Sequence, residues 1–198
     1  IAFLISFLPN FIIRKLFLET LGGQLLGLNS LYSNIIGWLS IIEMGIGVAI
    51  IYSLYKPYAN RDYPTIRAYI RFYDHFYKRI GMIILIAGII FTPFLKYFIK
   101  GNIDPSLLNV GFILFLINSF ITYLFSSRLC ILIISQNMYK ITIATTISKL
   151  LTILLQIILL KIYPNFLLFI TIQLIVNFIY IIIINLYILK KYSWINKI

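Results

Sequence analysis

Thr142, Thr145, Lys149, Thr152 and Gln156 fall at offsets 0, 3, 7, 10 and 14, so a helix carries all five on one face. An ammonium among hydroxyl and amide groups suits a phosphate or carboxylate, held by charge and hydrogen bonds. Similar stripes recur along the chain. Ser33, Gly37, Ser40, Glu43 and Gly47 form a small, polar face, and Ser6, Asn10 and Arg14 follow at i,i+4 steps. Asn118, Thr122 and Ser126 repeat that step, and Gln173, Asn177 and Tyr180 make a further polar set.

Small and hydroxyl residues are the usual contact between packed transmembrane helices. That account alone covers the Ser33 and Asn118 sets. Four charges ask for more, because Arg14, Glu43, Arg128 and Lys149 all fall inside apolar runs. Each costs about 2.5–3.5 kcal/mol at the centre of a span, roughly 10 kcal/mol for the four if they faced lipid. Arg14 and Arg128 can snorkel toward an interface. Lys149 is harder to excuse, lying mid-stripe and nine residues beyond Lys140. The expectation is a hydrated cavity between helices. Three bases against one acid suit a phosphate or carboxylate, whereas a cation exporter more often shows buried acids. The candidate binding groups are Arg14, Lys149, Arg128, Glu43, Thr145, Thr152, Gln156, Asn118 and Asn177. Arg128 ranks below Lys149, being well off the face that Asn118 and Thr122 define.

No motif for bond-making chemistry accompanies these groups. There is no phosphate-cradling glycine loop, paired metal-binding histidines, nucleophile elbow or paired carboxylates. Gly22-Gly23 and Gly45-Ile46-Gly47 do not follow strands. The reading is therefore not an enzyme, with no cofactor and no metal, and any transport is driven by a gradient or by substrate supply. The lone Cys130 reads as a small buried residue, and His75 as a solvated one.

The elements that must position these groups follow from composition. Of 198 residues, 62% are hydrophobic and 11% charged, and the mean hydropathy is +1.01. A soluble domain has about 45–50% apolar and about 25% charged residues, and a chain of this length cannot bury the excess in water. The expected class is an all-α integral membrane protein with six transmembrane helices over about 1–21, 29–55, 80–99, 106–134, 141–160 and 165–189. Runs near 20 residues suit helices, whereas barrel strands need about 10. Residues about 65–79 carry Ile66, Ile70, Tyr73, Tyr77 and Ile80 at helical spacing beside Arg67, Arg71, Asp74 and Lys78. This predicts an amphipathic helix in the head-group layer that feeds the third span.

A net charge of +12 suits anionic lipid head groups or an anionic substrate. Nucleic acid is not expected, since the charges sit between apolar runs. Lys56, Arg61, Arg67, Arg71, Lys78, Arg79, Lys140, Lys190, Lys191 and Lys197 fall on one side of the six-span arrangement. Lys96, Lys100 and Lys161 fall on the other. Ten against three makes the first side cytoplasmic, with the termini of the intact lobe on that side of a multi-pass cell membrane protein. Ile1 opens inside an apolar run with no charged region before it, so the expectation is a segment of a longer chain.

Residues 11–22 (Phe11-Ile-Ile-Arg-Lys-Leu-Phe-Leu-Glu-Thr-Leu-Gly22) and 26–36 (Leu26-Gly-Leu-Asn-Ser-Leu-Tyr-Ser-Asn-Ile-Ile36) resemble the opening of polysaccharide flippases. Glu43-Met-Gly-Ile-Gly47, the following Ala49 to Pro57, and the segment from Phe125-Ser-Ser-Arg128 to Gln136 are similar too. The family is the Wzx-like oligosaccharide flippase branch of the multidrug/oligosaccharidyl-lipid/polysaccharide exporter superfamily. The resemblance covers most of residues 11–140; spans five and six match in hydropathy and position alone. It implies the N-terminal lobe of the MATE/flippase fold, with a second six-helix lobe completing an alternating-access cavity. It also implies an undecaprenyl-diphosphate-linked oligosaccharide as substrate, membrane lipids around the lobe and glycan polymerase machinery as a neighbour. Arg14 and Glu19, Glu43 and Arg128 fall on the family's motifs in the first, second and fourth spans. Leu129 and Ser135 depart from it where a basic and an acidic residue are frequent. Two alternatives stay open: a drug or cation antiporter of the same fold using Glu43, and a non-transporting scaffold in a glycan-assembly complex.

Overall fold

A computed structural model describes residues 2–43, 45–99 and 103–194, with side chains from Leu8 onward except at positions 42 and 43. Every regular element among them is helical. These are α1 (Ala2–Leu39), α2 (Ile46–Ala59), α3 (Tyr63–Phe91), α4 (Pro105–Ser126), α5 (Leu129–Ile134), α6 (Met138–Ile162) and α7 (Phe166–Lys191), with 3-10 turns at Ser40–Glu43 and Thr92–Phe98. Among the described residues, four helices are long and apolar enough to cross a membrane: Tyr63–Phe98, Pro105–Ser126, Met138–Ile162 and Phe166–Lys191. The protein is thus all-helical with the composition of a multi-pass membrane protein.

Four such helices replace the six expected, and both losses lie in the first 55 residues. The stretch 1–21 carries Arg14, Lys15 and Glu19 within two turns. The stretch 29–55 is not one helix, because Ser40–Glu43 tightens to 3-10 and Gly45 turns left-handed at φ 95°. The fourth expected span, 106–134, also ends early. Its helix stops at Ser126, and a turn at Ser127–Arg128 separates it from the short α5.

α1 is two arms rather than one rod. Gly22 sits at φ 84°, ψ 167°, a region open essentially to glycine alone. Asn10 and Arg14 line the same cavity as Leu26, Asn29 and Ser30, yet a straight helix would hold Asn10 and Ser30 about 30 Å apart. Phe17 and Tyr32, from opposite sides of Gly22, both meet the Phe166 ring. The chain therefore folds back at Gly22, where the first expected span ends.

Two apolar cores are stacked along the bundle. One joins Ile13, Phe17, Leu28 and Tyr32 of α1 to Phe112, Phe115 and Leu116 of α4 and Phe166 and Phe169 of α7. Within it Tyr32, fully buried, donates a 2.6 Å hydrogen bond to the Leu108 carbonyl. The other core gathers α2, α5, the first half of α3 and the last turns of α7. Ile66, Ile70, Tyr73, Tyr77 and Ile80 are all buried there. The helix expected over about 65–79 packs its apolar stripe on protein and runs unbroken into the third span. Asp62 starts α3 as its N-cap, and hydrogen bonds from Thr65 hold its carboxyl below the usual range. At 29 residues, α3 is about 44 Å long, against about 30 Å of hydrocarbon.

α3 and α4 run antiparallel, with Gly81 against Tyr123 and Gly88 against Leu116. A Cβ on Gly81 would lie 2.9 Å from Tyr123 Cβ, and one on Gly88 would overlap both methyls of the fully buried Leu116. Gly81→Leu is therefore expected to cost about 1–3 kcal/mol as overpacking. Gly88→Ala is also expected to destabilise, since the buried Leu116 has little room to shift, in thermal unfolding of the purified protein.

Candidate functional site

The polar sets converge between the two apolar cores, where α1, α4, α6 and α7 surround an open cleft. One lobe of about 480 Å³ is lined by Ser33 and Ser40 from the second arm of α1 and its turn, Asn118, Ser119, Thr122 and Ser126 from α4, and Gln173 from α7. The other, about 310 Å³, has Asn10, Arg14, Asn29 and Ser30 from both arms of α1, Gln156 from α6 and again Gln173. Gln173 borders both cavities. Their lining among the described residues contains Arg14 and no carboxylate.

The i,i+4 spacing within each helix explains the convergence. Asn118, Thr122 and Ser126 present one edge of α4, and the fold-back at Gly22 turns Asn10 and Arg14 toward Asn29 and Ser30. Hydrogen bonds between elements fix the walls. Asn177 Nδ2 donates to Asn118 Oδ1 at 2.7 Å and to Thr122 Oγ1 at 3.1 Å. Gln156 Nε2, buried, donates to the Phe169 carbonyl at 2.9 Å. Asn29 Oδ1 is buried without a hydrogen-bond partner, leaving an acceptor on the cleft wall. Arg14 is exposed, and the ion pairs among the described residues, Lys15–Glu19 and Lys78–Asp74, leave it out.

The nine predicted groups divide. Arg14, Gln156 and Asn118 line the cleft, and Asn177 braces its α4 wall. Thr145, Lys149 and Thr152 lie on the α6 face that continues from Gln156, beyond the enclosed part. The Thr145 and Thr152 hydroxyls donate to carbonyls of their own helix. Lys149 is exposed, eleven residues from the start of α6 and thirteen from its end, at mid-span. The Gln156–Phe169 bond sets the register of α6 against antiparallel α7, and a further seven residues, about 10 Å, bring Lys149 level with Val176. Arg128 is elsewhere, in the turn between α4 and α5, so it does not sit within a span. Glu43 belongs to the 3-10 turn after α1, and its side chain lies outside the described residues. Asn29, Ser30 and Gln173 join the site without having been singled out as candidates. Asn29 had a signal, sitting one turn before Ser33 on the same polar stripe.

The bracing bonds permit a separation of stability from function. Hydrogen bonds between transmembrane helices are worth about 0.6 kcal/mol on average. Asn177→Leu is accordingly expected to lower unfolding stability by about that much while changing ligand capture more strongly, since it frees Asn118 and Thr122 and places an isobutyl group at the wall. Parallel melting and ligand-binding curves test this.

No family model, curated protein or solved structure matches this chain.

Proposed function

We propose that this chain is one lobe of a membrane flippase, moving a lipid-diphosphate-linked oligosaccharide across the cell membrane for surface polysaccharide synthesis. In this reading the two arms of α1 join the four apolar helices to complete a six-helix lobe, and a second lobe closes the cleft. The observation that carries it is a mid-bundle cleft with a basic group, many amides and hydroxyls, and no acid among its described lining. Lys149 adds a second cation on the open side, where lipid contact would cost about 2.5–3.5 kcal/mol.

Each group has a part in that function. Arg14 and Lys149 attract the diphosphate, with Arg14 able to grip two oxygens at once. Gln173, Asn118, Ser33 and Asn29 exchange hydrogen bonds with sugar hydroxyls in place of water. The lipid tail stays in the bilayer through the open side of the cleft. Nothing is bonded or cleaved; the cleft lowers the cost of taking a charged, hydrated head group through hydrocarbon.

Depleting the protein from its host tests this. Lipid-linked oligosaccharide should accumulate in the cytoplasmic leaflet while surface glycan falls. Unchanged precursor and glycan would refute the reading, and a change confined to drug susceptibility would replace it with the antiporter.

A further inference from the structure

A second cavity lies on the opposite flank of α6. It is an open, almost wholly apolar groove of about 540 Å³ between α6 and α7, with Val176 and Ile184 as its buried floor and Ala144 and Ser148 as its small-residue wall. It runs from Lys140 to Leu151 on one helix and from Tyr187 to Val176 on the other. Eleven residues on each helix make about 16 Å, close to half of the roughly 30 Å hydrocarbon core. The groove is as long as one leaflet is thick.

Its mouth is basic. Lys140 Nζ donates to the Tyr187 hydroxyl at 2.6 Å and lies 5.1 Å from the centre of that ring, which Lys191 Nζ approaches at 6.0 Å. Two ammonium groups thus share one tyrosine. The two ion pairs among the described residues take in neither lysine. An anion between them would relieve their repulsion, and a phosphate offers the charge and acceptor oxygens to bridge both.

We infer that this groove binds one anionic phospholipid from the leaflet at the basic end of the bundle, an acyl chain lying between α6 and α7 and the phosphate on Lys140 and Lys191. Charge at the mouth and one-leaflet length together select this occupant over a neutral lipid or another helix. The site shares no residue with the central cleft, so it stands whether or not the flippase reading does.

Native mass spectrometry of the full-length protein in detergent, with equimolar phosphatidylglycerol and phosphatidylcholine of the same acyl chains, tests the inference. One retained phosphatidylglycerol is expected, preferred about tenfold, in line with the pull of two lysines on an anionic lipid. K140Q/K191Q should bring the preference near parity. Ser148→Phe, or Ala144→Leu if that variant folds poorly, should cut retention of both lipids by filling the groove. Equal retention by the unaltered protein, a preference that survives K140Q/K191Q, or retention that survives filling would each overturn it. So would displacement of phosphatidylglycerol by equimolar polyprenyl phosphate, which would assign the groove to the carrier lipid.

Discussion

On the proposed function, Lys149→Glu is expected to abolish export of the lipid-linked oligosaccharide while the protein still folds and inserts. The expectation rests on where Lys149 stands, exposed at mid-span on the α6 face that leads into the cleft. A charge-assisted hydrogen bond is worth about 1.5–3 kcal/mol, so Lys149→Ala should lower transport roughly 10- to 100-fold. Glutamate adds repulsion of the diphosphate and should remove what remains. Lys149→Arg keeps the charge and should keep most of the activity. Stability is expected to move the other way, because Lys149 is exposed at mid-span and its insertion is costly. A loss of function without loss of stability marks a residue held for what it binds. Precursor in the inner leaflet, quantified beside thermal unfolding for all three variants, checks both halves.

The second large effect belongs to Gly22. At φ 84°, ψ 167° a side chain meets the backbone clash that reserves this region for glycine, at about 1–3 kcal/mol. Space is not the obstacle, since a Cβ there meets nothing within 4 Å. Gly22→Ala should therefore lower stability by that order and Gly22→Val by more, β-branching restricting the backbone further. Function should fall with stability, because the fold-back alone brings Asn10 and Arg14 beside Asn29 and Ser30. Gly27→Ala, also open and at an ordinary helical φ, should be close to neutral in the same unfolding assay. Equal behaviour of the Gly22 and Gly27 variants would remove the conformational argument.

These two positions also show what could be read in advance. Gly22-Gly23 ended an apolar run, and the reversal is found there because no other residue type relaxes into that turn. α6 and α7 were legible nearly to their ends, since uninterrupted hydropathy bounded by Lys140, Lys161 and Lys190 leaves little freedom. The stripe of Ile66, Ile70, Tyr73, Tyr77 and Ile80 was visible too, but periodicity says only that a face is apolar. Whether lipid or protein covers it depends on α2, α5 and α7, whose contacts are distant in sequence. The Gly45 break and the turn at Ser127–Arg128 were hidden inside apolar runs that hydropathy reads as continuous.

The candidate groups were partly legible for the same reason. Polar stripes on α1, α4, α6 and α7 were countable; Arg14 and Gln156 line one cavity, and Asn118, bonded to Asn177, lines the other. Which stripes end up enclosed is decided by helix placement, so Thr145, Lys149 and Thr152 lie on the open continuation while Gln173 borders both lobes. The body of the groove between α6 and α7 was not legible, being made by Ala144 and Ser148 leaving space between apolar neighbours.

If the α6 stripe faces water within the membrane, cysteines placed along it will be accessible to solvent-borne reagents. Single cysteines at 145, 149 and 152 would be treated, in the full-length protein in its native membrane, with a charged, water-soluble thiol reagent. Cys130 leaves a low background, being buried with its thiol pushed up to about 12 by that burial. Cysteines at 147 and 154, exposed and apolar on the other flank, serve as lipid-facing controls. Labelling at 145, 149 and 152 with silence at 147 and 154 is the predicted result. Silence at all five positions would contradict a hydrated cleft and favour a scaffold whose helices are sealed by packing.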